Sequence, residues 1–460
     1  MAGDESSSQR WVVLPMHRPQ VGSILGSTGA RRPTMMRTVT MRRQRAPGAR
    51  RAAARPSLLT PMFLTVAVAE LAYFTADGVL LPALPRYVTG PLGGGDVAVG
   101  LVIGAFSLAA FFLRPWAGTQ ADLRGRRILM VAGASIFGLS VAGYFVATAI
   151  PLLVGMRLLT GVGEALFFVG AVAANLDLAP AERRGEAMSF ASLSLYLGIG
   201  IGPFIGETVI EHLGFRAAWL VSIGLAGVAV ALSLRLPAMR PTVEEGPPPE
   251  AHRLVHPAGL LPGLVLLATI WGMGGFLAFV PLYARDLGMG GAGLVLGLFS
   301  GIVVLIRSVG ARIPDRFGAA RTTRVSLVLS ALGLVTVGSW QEPTGLLVGA
   351  AVLGVGVALF TPALFALAVA DVPSNERGAV MGTTSAFLDL GFGLGPASLG
   401  FVAAGLGRSG TFLVGALVAM AGFGLVVATK LGVPRSPKAQ TEPVGSIEGA
   451  VAQSVRAADS

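Results

Sequence analysis

Apolar residues fill this chain in blocks of about twenty, separated by short polar turns. Twenty residues of α-helix cover about 30 Å, the thickness of a bilayer's hydrocarbon core, so each block predicts one membrane-crossing helix. The blocks fall at 58–81, 98–117, 128–148, 151–174, 186–209 and 216–235, then at 259–282, 292–310, 322–339, 343–370, 378–403 and 409–431. None shows the alternating pattern of about ten residues that marks a membrane barrel strand. The pattern therefore predicts an all-α integral membrane protein with twelve transmembrane helices.

The two sets of six blocks repeat each other. Gly100, Gly104, Phe106, Ser107, Arg114, Asp122 and Gly125 recur as Gly293, Gly297, Phe299, Ser300, Arg307, Asp315 and Gly318, each pair 193 apart (307 − 114). Pro180, Arg184, Gly198, Gly202 and Pro203 recur as Pro373, Arg377, Gly391, Gly395 and Pro396 at the same offset. One register held across two distant blocks predicts two pseudo-symmetric six-helix bundles of like orientation, the architecture of a carrier that rocks about a midplane site. The expected organisation is a basic disordered cytoplasmic tail at 1–56, an N-terminal bundle at 57–236, a cytoplasmic linker at 237–256, a C-terminal bundle at 257–431 and a cytoplasmic tail at 432–460.

Composition agrees with a membrane location: 53% of residues are hydrophobic and 13% charged, with a mean hydropathy of +0.71, against about 25% charged in soluble domains. A net charge of +11 would suggest nucleic acid in a soluble chain. Here the cations gather in the tails and in alternate loops, so no nucleic-acid partner is expected. Arg124, Arg126, Arg127, Arg183, Arg184, Arg240, Arg253, Arg312, Arg316, Arg321, Arg324 and Arg377 fall on one side, and Arg86, Arg216, Arg285 and Arg408 on the other. By the positive-inside rule both termini are cytoplasmic, and the expected location is the cell membrane. The Arg-rich stretch from Arg31 to Arg55 precedes the first block with no apolar core of signal-peptide length, so that block is expected to be an uncleaved anchor. The basic tail itself reads as a disordered tether, or as a contact for anionic lipid; Met41 is an alternative start.

There is no cysteine, which excludes disulfides and thiolate chemistry. The four histidines, His17, His212, His252 and His256, lie in tails or loop margins, which argues against an intramembrane hydrolase. No enzyme activity, cofactor or metal is expected. The tail after Leu431 has no periodic apolar pattern that would make a signalling domain.

Charges inside the blocks carry the functional reading, because a charged side chain at bilayer depth costs at least ~2.5–3.5 kcal/mol and normally faces a bundle interior or a wet cavity. Arg157 and Glu164 lie seven residues apart in the fourth block, on one helix face. Glu70 and Asp77 share a face of the first block in the same way. Counted from the outer ends, Asp77 and Arg157 lie at similar depth, as do Glu70 and Glu164. A two-tier site follows: Arg157 holds Asp77 ionised, while Glu70 and Glu164 approach closely enough for one of them to carry a proton. The alternative is that Glu70 and Glu164 face different cavities. Asp389, in the eleventh block, is expected to pair with Arg114 or Arg307 as a structural or gating contact, those arginines lying near the inner ends of their blocks and able to snorkel.

The loop Gly118, Thr119, Gln120, Ala121, Asp122, Leu123, Arg124, Gly125, Arg126, Arg127 resembles the signature between helices 2 and 3 of the major facilitator superfamily. It implies a conformational latch of Gly118, Asp122, Gly125, Arg126 and Arg127, with Asp315 and Arg316 in the second copy. Leu123 stands where that family usually has Arg or Lys. Arg157, Gly161, Gly163 and Ala165 resemble its helix-4 motif, associated with proton coupling. Gly198, Gly202, Pro203 and Gly206 resemble the helix-5 motif of its drug:proton antiporter branch, with Glu207 at a position commonly Gly and read as an outer-mouth carboxylate. The resemblance implies a substrate cavity between helices 1, 4, 7 and 10, whose aromatic candidates include Phe74, Phe167, Phe168, Trp271, Phe276 and Phe360. Few hydroxyl or amide groups lie on those helices, which disfavours a sugar site. The expected function is secondary transport by alternating access, namely proton-coupled efflux of small lipophilic or cationic compounds; the alternative is a proton symporter importing a metabolite. The partners expected are a small-molecule substrate, protons and the lipid bilayer, for a monomer.

Overall fold

The computed structural model describes residues 58–180, 183–239, 255–309, 313–373, 376–429 and 431, apart from the side chains of residues 314 and 315. Helices make up the ordered framework: α1 (Pro61–Thr89), α2 (Asp96–Arg124), α3 (Arg126–Gly143), α4 (Ile150–Leu178), α5 (Arg184–Leu213), α6 (Phe215–Leu234), α7 (Pro257–Asp286), α8 (Gly293–Val309), α9 (Ile313–Phe317), α10 (Ala319–Ser339), α11 (Pro343–Ala368) and α12 (Arg377–Ala428). No strand occurs among the described residues. Ten of these helices are long and apolar enough to cross a membrane, and Gly293–Val309 is a shorter apolar helix.

Local chemistry sets the ends. Thr60 accepts a hydrogen bond from the Phe63 amide at 3.2 Å, and Pro61 follows in the first turn, where a missing N–H costs nothing. His256 Nδ1 caps α7 in the same way, accepting from the Ala258 amide at 3.2 Å. The α2–α3 and α9–α10 junctions turn on Gly125 (φ 92°) and Gly318 (φ 84°), residues of the repeat whose left-handed backbone favours glycine.

Several helix ends differ from the sequence expectation, α2 for example running to Arg124 rather than 117, and three differences bear on the architecture. α1 runs on to Thr89, eight residues past the expected end at 81 (89 − 81), because Pro82 and Pro85 are accommodated inside it. The short helix α9 was not expected. The last two expected spans form one 52-residue helix interrupted at Gly407 (φ 76°, ψ 168°). A straight helix of that length would reach about 78 Å, more than twice a bilayer core.

Packing follows the repeat. α1 lies against α5 and α6, α2 against α4 and the leg of α12 before Gly407, α7 against α12, α8 against α5 and α11, and α10 against α11 and α12. Glycine faces make the close approaches: a methyl group on Gly198 would sit 2.5 Å from the Phe74 backbone, and one on Gly202 2.5 Å from Gly78. The two halves reuse one contact, since Gly163 abuts the Phe137 amide as Gly356 abuts the Ser330 amide, both pairs related by 193 (356 − 163 and 330 − 137). Large apolar side chains such as Phe112, Leu139, Leu220, Phe401 and Leu417 point outward, the belt a bilayer requires.

Candidate functional site

A cavity of about 290 Å³ lies among the helices of both repeats, and its wall holds four acids and three arginines: Glu70 and Asp77 from α1, Arg114 from α2, Arg157 and Glu164 from α4, Arg307 from α8 and Asp389 from α12. The rest of the wall is largely apolar and includes Phe74, Phe168, Met273, Leu277, Phe365 and Phe392. Helical spacing explains the convergence on α1 and α4, where each charged pair is separated by two turns.

Arg157 and Asp77 come together, with Nη1 3.9 Å from Oδ1. That separation is an ion pair without a direct hydrogen bond. The guanidinium is held otherwise by Nε, which donates to the Val102 carbonyl at 3.2 Å, and by the Phe106 ring, whose centroid lies 4.5 Å away. Gly161 on the same helix lets α4 press against the Phe106 carbonyl, which brings α2 close enough for these contacts.

Glu70 and Glu164 do not partner each other. Glu70, 2% exposed, accepts a hydrogen bond from Asn175 Nδ2 at 2.8 Å, while its Oε2 is buried with no hydrogen-bond partner. Glu164 instead takes a hydrogen-bonded ion pair from Arg114 at 2.9 Å. The same arginine, through Nε, stands 2.9 Å from Asp389 Oδ2, and its guanidinium carbon lies 4.4 Å over the Phe168 ring. Arg114 therefore does not snorkel to the surface; it ties α4 of the first repeat to α12 of the second. The expected close approach of Glu70 and Glu164 gives way to two separate environments, because a cation on α2 and an amide on α4 supply each acid with its own partner.

The structure also re-sorts the aromatic candidates. Phe74 and Phe168 line the cavity, whereas Phe167, Trp271, Phe276 and Phe360 do not. Phe167 is one residue, about 100° of helix, from Phe168 and stacks on Tyr73 at a centroid distance of 4.0 Å. Phe276 packs on Phe299 and Phe412, Phe360 is fully buried, and the backbone of Trp271 receives Gly395.

At the α2–α3 turn Arg126 is the centre, bonding Asp122 at 2.8 Å, Asp177 on α4 at 3.0 Å and the Ala121 carbonyl. Arg127 turns instead to the Leu236 carbonyl at 3.2 Å, Gly118 meets open space and Leu123 is 71% exposed. Arg316 is exposed on α9, and the side chain of Asp315 lies outside the described residues. Gly198, Gly202 and Gly206 form the α5 face against α1, and Pro203 is buried in the same helix. Glu207 accepts from the amides of Ala292 and Gly293 at the start of α8, the second at 2.7 Å.

Sequence reasoning missed Asn175 and the pairing of Arg114 with Glu164. Asn175 falls one residue past the expected end of the fourth block at 174, and only the longer α4, which runs to Leu178, brings it inside the bundle; the partner of Arg114 had no signal, since depth along one helix does not say which neighbour faces it.

The sequence profile described as Major Facilitator Superfamily matches residues 66–340 and 291–457. An uncharacterized MFS-type transporter of Pseudomonas aeruginosa is 33% identical over 383 residues, covering 79% of this chain and 93% of that protein. One of Salmonella typhimurium is 29% identical over 378 residues, covering 79% and 95%. Among solved structures, the nucleoside transporter NupG superposes with a TM-score of 0.67 at 15% identity, over 80% of this chain and 99% of that one. With an all-helical fold, a charged cavity between two sequence repeats and these matches, the chain belongs to the Major Facilitator Superfamily.

Proposed function

We propose that this chain is a proton-coupled exporter of small, largely lipophilic molecules, working by alternating access in the cell membrane with both termini cytoplasmic. Two six-helix halves, with α12 crossing twice around Gly407, give twelve crossings in this reading. Membership of the superfamily supports secondary transport in general, and the α5 glycine face supports the antiporter branch.

The observation that carries the coupling is the unequal partnering of the cavity acids. Asp77 has Arg157, while Glu164 and Asp389 share Arg114. Glu70 has the neutral amide of Asn175 and enters no ion pair among the described residues. A buried carboxylate without a cation is neutralised most simply by a proton, so Glu70 is the proton carrier in this scheme. The Arg157–Asp77 pair, already near the limit of contact, is the element whose separation follows proton and cargo occupancy. The Asp122–Arg126–Asp177 cluster latches one conformer at the cytoplasmic surface. A cationic cargo is the weaker half of the original expectation, since no cavity carboxylate other than Glu70 is free of an arginine.

Proteoliposomes with an imposed pH gradient test the scheme. Antiport accumulates cargo in the more acidic compartment and symport in the more alkaline one; accumulation that ignores the gradient would remove proton coupling.

A further inference from the structure

Arg307 is the cavity arginine that enters no ion pair among the described residues. It reaches the cavity from α8, its guanidinium carbon lies 4.7 Å over the Tyr196 ring, and its Nε is buried with no hydrogen-bond partner. The other two cavity arginines are matched, Arg157 by Asp77 and Arg114 by Glu164 and Asp389.

The internal repeat explains the difference. Arg307 is the second copy of Arg114. Shifting the two acids that face Arg114 by the same 193 residues leads to Val357 for Glu164 (357 − 164) and to Tyr196 for Asp389 (389 − 196). The second copy keeps the cation and has an aliphatic group and a phenol ring where the first has two carboxylates. Tyr196 takes the place of Asp389 in space as well as in register, since its ring is what Arg307 covers. A guanidinium stacked on a ring keeps its N–H edge free for a planar or tetrahedral oxyanion.

We propose that Arg307 and Tyr196 form an anion subsite, and that the cargo is a small amphipathic molecule carrying one carboxylate or sulfonate group. The oxyanion sits against the Arg307 edge, and the apolar body lies along the wall that includes Met273, Leu277 and Phe365. This deepens the transport reading and rests on the cavity being the cargo site.

The test is equilibrium binding by calorimetry on the full chain in nanodiscs at fixed pH, with three matched probes: naphthalene sulfonate, naphthalene methanol and naphthyl methylammonium. The wild type should bind the sulfonate at least roughly tenfold tighter than the alcohol, the size of a charge-assisted hydrogen bond. Arg307→Gln should erase that preference and Arg307→Lys should retain part of it. Tyr196→Asp, which restores a carboxylate opposite Arg307 while leaving the cation in place, should also abolish it, with thermal unfolding confirming that each variant is folded. A wild type that shows no preference for the sulfonate or prefers the ammonium, or an Arg307→Gln variant that keeps the sulfonate preference, overturns the proposal. No proton gradient is present, so that result would leave the Glu70 scheme standing; retained proton coupling in Glu70 variants with the sulfonate preference intact would overturn the Glu70 scheme and leave the anion subsite standing.

Discussion

Asn175 on α4 donates to Glu70 on α1 at 2.8 Å, joining two helices through a neutral contact at a point where the neighbouring tier joins them through Arg157 and Asp77. The two contacts respond differently to substitution. Asn175→Leu leaves the Glu70 carboxyl buried without a donor, so substrate-driven proton uptake should shift to a different pH range, measured as the pH profile of transport. Asn175→Asp removes the amide donor and places a second acid against Glu70, and should displace the same profile.

Arg114 holds two acids apart from each other's charge. Replacing it by Met leaves Glu164 and Asp389 facing without a cation. Removing one partner of a buried ion pair costs about 3–5 kcal/mol. The side chain of Arg114 is 19% exposed toward the cavity, so about 2–3 kcal/mol is expected after screening. Combining Arg114→Met with Asp389→Asn should recover more than half of the loss, read as unfolding midpoints in detergent.

Gly198 fits where nothing larger does. A Cβ there would lie 2.5 Å from the Phe74 backbone and 2.8 Å from the Thr75 amide. Gly198→Val should force α5 off α1 and destabilise by about 1–3 kcal/mol, the usual cost of overpacking. Gly185→Ala, on the same helix with open space around it, is the control and should leave the unfolding midpoint within error.

Arg408 closes the expected outer end, bonding Asp96 of α2 at 3.0 Å and Asp286 of α7 at 2.7 Å. Because the chain has no cysteine, Leu81→Cys puts a unique thiol on the cavity wall. Adding Arg408→Ala should speed its labelling by an impermeant maleimide from outside by about two- to fivefold, the equilibrium shift that a partly exposed ion pair permits.

The fold was legible because a bilayer imposes one length on every crossing and because the repeat held its register. Both halves could be aligned residue by residue, and depth counting placed Arg157 beside Asp77. Lateral relationships were not legible. Phe167 and Phe168 are adjacent in sequence, yet one faces Tyr73 and the other the cavity, a rotation that apolar composition all round the helix conceals. Glu164 found Arg114 rather than Glu70 for the same reason: the sequence sets the height of a side chain in the bundle, and packing of small residues such as Gly161 against Phe106 sets which helix stands opposite.

Proton movement measured in Glu70→Gln proteoliposomes bears most directly on the scheme, since Gln keeps the shape and the acceptor for Asn175 but cannot exchange a proton. Cargo added to the wild type should drive a pH change in the vesicle lumen, while the variant should still exchange labelled for unlabelled cargo across the membrane with no lumenal pH change. Wild-type proton movement in the variant would contradict the assignment of the carrier to Glu70.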